Sequence, residues 1–411
     1  MAAQAPTTFL QVNMPKLCDS LKYRWWLLLL LNTGGPLLAE GPVDERLLDR
    51  LRGTDALFWS PEDRRIGLSL LEKIKPTREI KPAHGRELKS EPQNFSEFAY
   101  KLEGQDFSFK NHLESQQVAG LMILRSGRLV YEYHADPFHG RTRWNGFSIA
   151  KSALALLVGL TIQSGQIESI DTPVSVYLPE FETSAYAEVT IRDLMHMSSG
   201  VAWSEDYADP ESDVARLSEF TAERGILGLI EHMGKLPAKG PPGSIYNYNT
   251  GEIYLLGSIL SRATGQTLSE LMSQRLWNAI GANESAYWML NATDGLETAG
   301  CCIAATLEAH AKLGQFVLEM ASDAEGDQIL SSEWLEFMRT PSPQNERYGA
   351  LWFRDGTDAI FAAGIFGQLI YIDFSRETVI ALHSHWKDAL SADYLSRRNA
   401  FVRAISSIES F

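Results

Sequence analysis

The sequence predicts an α+β fold: an antiparallel sheet flanked by helices, with a mostly helical lobe inserted. Three observations predict it. Two apolar, β-branched runs flank Ser126-Gly127 in VAGLMILRSGRLVYEYHAD (118–136), the pattern of a β-hairpin. Three more strand-like runs come late, YGALWF (348–353), AIFAAGIFGQLIYIDF (359–374) and TVIALHS (378–384), followed by a helical pattern over 388–407. Between them the periodicity is helical near 191–197, 224–233, 251–264 and 268–280. Strands at both ends and helices between are not the alternation of a doubly wound fold. The two ends are therefore expected to meet in one sheet, with about 165–340 as the helical lobe.

At the N-terminus, Lys16, Lys22 and Arg24 precede the apolar run Trp25–Leu31 and the segment NTGGPLLAE. A positive flank, a short apolar core and small residues near Ala39 resemble a secretory signal over 1–39. The run is too short to span a bilayer, so membrane contact would come only through an uncleaved signal. A start at Met14 would give a more usual signal length. The expected location is periplasmic or secreted; the alternative is a cytoplasmic chain with a sticky N-terminal helix. Residues 40–105 alternate short helical patterns (ERLLDRLRG, RIGLSLLEKI) with a polar linker and read as an extension in which no chemistry is visible. Residues 106–411 form the main domain and contain no internal repeat.

The formal net charge of −15 opposes binding to nucleic acid or anionic membranes, whose phosphates attract clustered Lys and Arg. The three cysteines have neither metal-ligand spacing nor a disulfide framework. Cys301 and Cys302 are read as small packing residues.

The stretch WNGFSIAKSALALLVGL (144–160) carries the first candidate chemistry. Ser148 and Lys151 stand at i and i+3 and share a helix face. Asn145 and Gly146 put Ser148 at the helix start, where unsatisfied N–H groups and the positive dipole end favour charge developing on oxygen. Lys151 is flanked by Ile149, Ala150, Ala153, Leu154, Leu156 and Leu157. Desolvation there lowers its pKa, so that a neutral amine can take the serine proton. The bland alternative is a serine cap beside a lysine that snorkels to water. Ser384-His385-Trp386-Lys387 repeats the spacing without an apolar helix behind it and is read as a chance match. A nucleophile elbow is the other reading, but Gly146-Phe-Ser148-Ile-Ala150 misses G-x-S-x-G by one residue. An elbow also needs a strand before the serine, which RTRWNGF does not resemble.

Four further segments follow in order: GQIESIDTPVSVYLPEF, VTIRDLMHMSSGVAWSEDYADPESDV, PPGSIYNYNTGEIYLLGSILSRATGQTL and AAGIFGQLIYID. With the Ser-x-x-Lys motif, over about 95–405, the chain resembles the penicillin-recognising serine hydrolases, the class C β-lactamase superfamily. Within it the chain is most similar to the 6-aminohexanoate-dimer hydrolase type of esterase/amidase. The resemblance implies a β-lactamase/D,D-peptidase-like fold and a serine nucleophile at Ser148 activated by Lys151.

It also implies roles for other residues. Six residues after Pro242, Tyr248-Asn249-Thr250 matches the family's Tyr-x-Asn, with Thr250 in place of the usual asparagine. Tyr248 would then pass a proton between nucleophile, lysine and leaving group, as a phenol lowered by a nearby ammonium can; Tyr246 is the rival. Ala362-Ala363-Gly364 falls where the family has a cation or His, a small residue and Gly. Gly364 would permit close substrate approach, and the N–H groups of Ile365 and Ser148 would form an oxyanion hole. The missing cation argues against β-lactams and cell-wall peptides. Tyr207, in Glu205-Asp206-Tyr207, matches a residue that contacts the scissile amide in the dimer-hydrolase type. Phe366, Trp203 and Tyr207 are expected as pocket walls suited to a linear, partly apolar acyl group.

His383 and His385 alternate on a strand, but two ligands without a third do not make a metal site. Asp171 and His196 are read as structural. The expected enzyme needs no metal or cofactor and acts on a small amide or ester. A β-lactamase/D,D-peptidase-type enzyme and a catalytically silent binding homologue are the alternatives.

Overall fold

In the computed structural model the hairpin at 118–136 forms as expected: Val118–Arg125 and Arg128–His134 pair antiparallel around Ser126 and Gly127. Both turn residues have positive φ (46° and 72°), the conformation for which glycine is suited at the second position. The structure describes residues 43–408 apart from 83, 223, 294 and 322–328, so the expected signal lies outside the described residues. The other edge of Val118–Arg125 pairs with Thr378–Ser384, which joins the two ends of the domain in one sheet. The seven strands run Phe353–Asp355, Ala359–Gly364, Gln368–Asp373, Thr378–Ser384, Val118–Arg125, Arg128–His134 and Lys89–Ser90. All pairings are antiparallel except the last.

Two strand expectations need correction. Of YGALWF only Phe353 enters a strand, Phe353–Asp355; Tyr348 makes an isolated bridge and the rest turns. The run 359–374 is broken at Ile365–Gly367 into two antiparallel strands, because Phe366 and Gly367 both take positive φ (61° and 95°).

Alternation along the strands divides the core into two layers. Met122, Leu124, Ile370, Ile372, Val379 and Ala381 face the layer of the helices Leu307–Glu319 and Ile149–Gln163, with Gly314 lying directly against Val379 and Ile370, while Leu121, Ile123, Leu369, Ile380 and Leu382 face the helix Ala392–Ser406. Every residue from Ile149 to Thr161 is buried. A helix apolar all round belongs inside, and here it is covered by the sheet on one side and the middle helices on the other.

The middle lobe is not purely helical. Ala286–Met289 and Ile303–Thr306 form a second, four-stranded antiparallel sheet with Thr77–Ile80 and Arg143–Asn145. Residues 45–105 belong to the same compact unit as the main domain. Among the described residues no helix is long and apolar enough to cross a membrane.

Candidate active site

The residues before Ser148 are held from three sides. Arg143–Asn145 is a short strand paired with Ala304–Thr306, contrary to the expectation that no strand precedes the serine. Gly146 N–H donates to the Ile303 carbonyl at 2.9 Å, and Asn145 Oδ1 accepts from the Phe147 N–H at 3.0 Å. Phe147 takes a positive φ of 46°, but Ser148 itself is right-handed (φ −66°, ψ −2°) and opens the helix. Its N–H thus lies in the first turn, where no intrahelical carbonyl is available.

One turn into this helix, Lys151 is 1% exposed. Its Nζ donates to Ser148 Oγ at 2.9 Å and to the Gly300 carbonyl at 2.6 Å. The lysine does not snorkel to water. Burial lowers its pKa to about 8, against the opposing pull of the Glu205 carboxylate.

Tyr248 arrives from the other side. Asn249 caps the helix Thr250–Thr264, its side chain accepting from the Glu252 N–H, so Tyr248 is fixed at the helix mouth. The Tyr248 phenol comes close enough to Ser148 to feel its hydroxyl, and Lys151 Nζ lies 5.2 Å from the phenol ring centroid. Tyr246 lies toward Asn345, and it is Tyr248 whose ring faces Lys151 and whose hydroxyl senses Ser148. The expected lowering of the phenol is reversed. Burial first, and then Glu205, push the Tyr248 pKa well above its ordinary value. A group so shifted stays protonated at neutral pH and acts as a donor.

Gly364 ends the strand beside the serine loop. A Cβ there would lie 2.3 Å from the Gly146 carbonyl oxygen and 3.1 Å from Phe147 Cβ. The glycine permits close approach of two backbones, not only of a substrate. The next residue, Ile365, lines the same cavity as Ser148. Ser148 and Ile365 therefore border the same cavity.

Glu205 is the residue that sequence reasoning missed. Its carboxylate accepts from Trp203 Nε1 at 2.5 Å, Tyr207 Oη at 2.8 Å, the Thr250 N–H at 3.0 Å and the Thr250 hydroxyl. Thr250, in place of the family's asparagine, thus holds a carboxylate that in turn fixes Tyr207. Tyr207 lines the cavity with Ser148, and burial pushes its phenol well above the ordinary value. A carboxylate between a tyrosine and a tryptophan in a polar loop was the available signal.

The cavity has a volume of about 340 Å³. Two of its expected walls are elsewhere. Phe366 is fully buried beneath the Arg64 guanidinium (4.0 Å to the ring centroid) and beside Phe147 (5.5 Å). Trp203 is buried and packs toward Gly251. In their place stand residues of the N-terminal extension, Trp59, Leu71 and Ile74 among them. The extension in which no chemistry was visible forms one side of the site.

Cys301 and Cys302 also line the cavity and are joined by a disulfide, not separate packing residues. His383 is buried, with Nε2 2.8 Å from His310 Nδ1, and burial holds both rings well below the usual imidazole range. His385 lies beyond the strand end, past an irregularity at 383–384, so the two histidines do not share a strand face. Among the described residues no group of three or more His, Cys, Asp or Glu is placed to hold a metal ion. Ser384 is 2% exposed at a strand end, its N–H donating to Gln368 Oε1 at 3.1 Å. Asp171 pairs with Arg192 at 2.7 Å, and the His196 carbonyl accepts from Ser342 at 2.8 Å.

Known proteins share this fold. The family model described as beta-lactamase matches residues 108–404. The 6-aminohexanoate-dimer hydrolase of Paenarthrobacter ureafaciens is 25% identical over 299 residues, covering 68% of this chain and 75% of that protein. A solved structure described as a 6-aminohexanoate-dimer hydrolase of Bacillus anthracis has a TM-score of 0.74 at 22% identity, covering 83% of this chain and 93% of that one. A family VIII carboxylesterase structure has a TM-score of 0.56 at 16% identity, covering 72% and 95% of the two chains. These structures share the fold.

Proposed function

Because the chain belongs to the β-lactamase family of serine hydrolases, we propose that it cleaves amide or ester bonds of small substrates through an acyl-enzyme on Ser148. The contact of 2.9 Å between Ser148 Oγ and the fully buried Lys151 amine carries this reading. With a pKa of about 8, roughly one Lys151 in ten is neutral at pH 7. The neutral amine accepts the Ser148 proton as Oγ attacks the carbonyl. The ammonium that results is held by the Gly300 carbonyl and the field of Glu205.

The tetrahedral oxyanion takes hydrogen bonds from the N–H groups of Ser148 and Ile365. Tyr248, kept protonated by burial, donates to the departing amine or alkoxide and is reprotonated from Lys151. Water then enters and attacks the acyl carbonyl while the Lys151/Tyr248 pair takes its proton; that proton passes to Ser148 Oγ as the ester bond breaks and the acid is released. No step calls for a metal or cofactor. The substrate class that fits is a linear, partly apolar acyl amide or ester, related in kind to what the name of the Paenarthrobacter ureafaciens relative denotes. Ala362 in place of a cation leaves a β-lactam carboxylate without its partner on that strand, which disfavours the lactamase alternative.

Hydrolysis of p-nitrophenyl acetate and butyrate by wild type, Ser148→Ala, Lys151→Ala and Ser384→Ala tests the proposal. The first two variants should lose turnover and the third keep it. Full activity in Ser148→Ala would refute the nucleophile. Nitrocefin turnover matching the esters would move the reading to a β-lactamase, and an inert wild type to a silent scaffold.

A further inference from the structure

Residues 45–76 lie before the segment matched by the family model, yet they are built into the site. Ala56, Leu57, Trp59, Leu71, Ile74 and Pro76 line the cavity that also contains Ser148 and Lys151. This arm is fastened, not loosely draped. Buried Arg64 donates to the carbonyls of Trp386 (3.1 Å), Lys387 (2.7 Å) and Trp59 (2.7 Å). The Asn145 N–H, next to the serine loop, donates to the Leu68 carbonyl at 2.9 Å, and the Leu290 N–H to the Pro76 carbonyl at 2.8 Å. Across the cavity stand Val214, Leu217, Met289 and Leu290, which are also apolar. Apart from Lys151, the charged lining residues are Asp55 and Lys75, of opposite sign, so the walls favour no net charge on the occupant.

We propose that the arm is the acyl-chain selector of the enzyme: it holds an extended, uncharged apolar acyl chain attached at Ser148, and residues 56–74 decide which chain length reacts. The inference rests on the acyl-enzyme reading. A leaving group must escape before water arrives, whereas the acyl chain stays bonded to Ser148, so a walled cavity suits the retained half. An apolar wall transfers each methylene out of water, which raises kcat/KM about fourfold per CH2 while the chain remains inside.

The test is kcat/KM for p-nitrophenyl acetate, butyrate, hexanoate and octanoate. Wild type should rise at least tenfold from acetate to hexanoate. Ala56→Trp, which fills the cavity, should cut the octanoate-to-acetate ratio tenfold or more, and Ile74→Ala should flatten the gain by about threefold. Ratios within each variant cancel a general loss of active protein. Calorimetric titration of Ser148→Ala with butanamide and octanamide reads the wall without turnover. Tighter octanamide binding that Ala56→Trp abolishes supports the selector even if the hydrolase reading fails. Equal binding of the two amides, a flat acyl series, a series unchanged in both variants, or a preference that follows the alcohol chain of alkyl acetates would each overturn it.

Discussion

Replacing Glu205 by glutamine keeps the side chain's shape and removes one negative charge from a carboxylate on which four donors converge. Its Oε2 accepts from the Trp203 indole and the Thr250 backbone N–H, neither of which can reverse its role. The amide oxygen must therefore take that place, and the NH2 faces the hydroxyls of Tyr207 and Thr250, which can turn to accept. All four contacts survive as neutral ones, at a cost of about 1–3 kcal/mol in stability. The larger effect is electrostatic. Glu205 is the charge that opposes the effect of burial on Lys151. Without it the Lys151 pKa falls below about 8, and the amine is neutral at lower pH. The acidic limb of kcat/KM for p-nitrophenyl butyrate should move down by on the order of one pH unit. Urea denaturation separates the stability term from the catalytic one. A limb that stays put, or moves to higher pH, would refute the assignment of Glu205 as the electrostatic partner of the site.

Other expectations follow from single groups. Tyr248→Phe should lower kcat roughly 10²–10³-fold on an anilide and far less on p-nitrophenyl esters, whose leaving group departs without a proton; steady-state kinetics on matched substrates reads the difference. Gly364→Ala puts a methyl 2.3 Å from the Gly146 carbonyl, so it should cost about 1–3 kcal/mol in denaturation and at least tenfold in kcat/KM as the serine loop shifts. Glu252 is fully buried, hydrogen-bonded by Ser199 and Tyr186, and burial raises its pKa to about 8. A carboxyl raised in the folded state lends stability that is complete below the unfolded pKa and lost as pH rises through the folded one. Wild type should therefore weaken between about pH 4.5 and 8, and Glu252→Gln should gain on it by roughly 2–4 kcal/mol over that window, measured by urea denaturation.

Where local pattern decides the outcome, the sequence was readable. The apolar, β-branched runs in 118–136 and 378–384 predicted three strands, and the meeting of the chain ends in one sheet followed from the order of elements. The apolar neighbours of Lys151 likewise announced its burial. What escaped depends on partners distant along the chain. The strand Arg143–Asn145 is three residues long and exists because Ala304–Thr306 pairs with it. Glu205 has no visible role until Thr250, 45 residues on, folds against it. The extension looks like surface because its helices are short and its linkers polar, yet Trp59, Leu71 and Ile74 are buried against the cavity. Phe366 was expected as a pocket wall, but the turn at its positive φ leaves it buried beneath Arg64. The Tyr248 phenol was expected to be lowered by an ammonium; burial and Glu205 raise it instead, and burial likewise leaves Lys151 charged less of the time.

The central claim is that Ser148 carries the acyl group. Mass spectrometry of the intact protein after a fluorophosphonate probe, followed by peptide mapping, tests it most directly. The account predicts one probe adduct on Ser148, formed faster as pH rises toward and beyond 8, and absent in Ser148→Ala. Labelling at Ser384 or another residue, or an adduct that persists in Ser148→Ala, would contradict it.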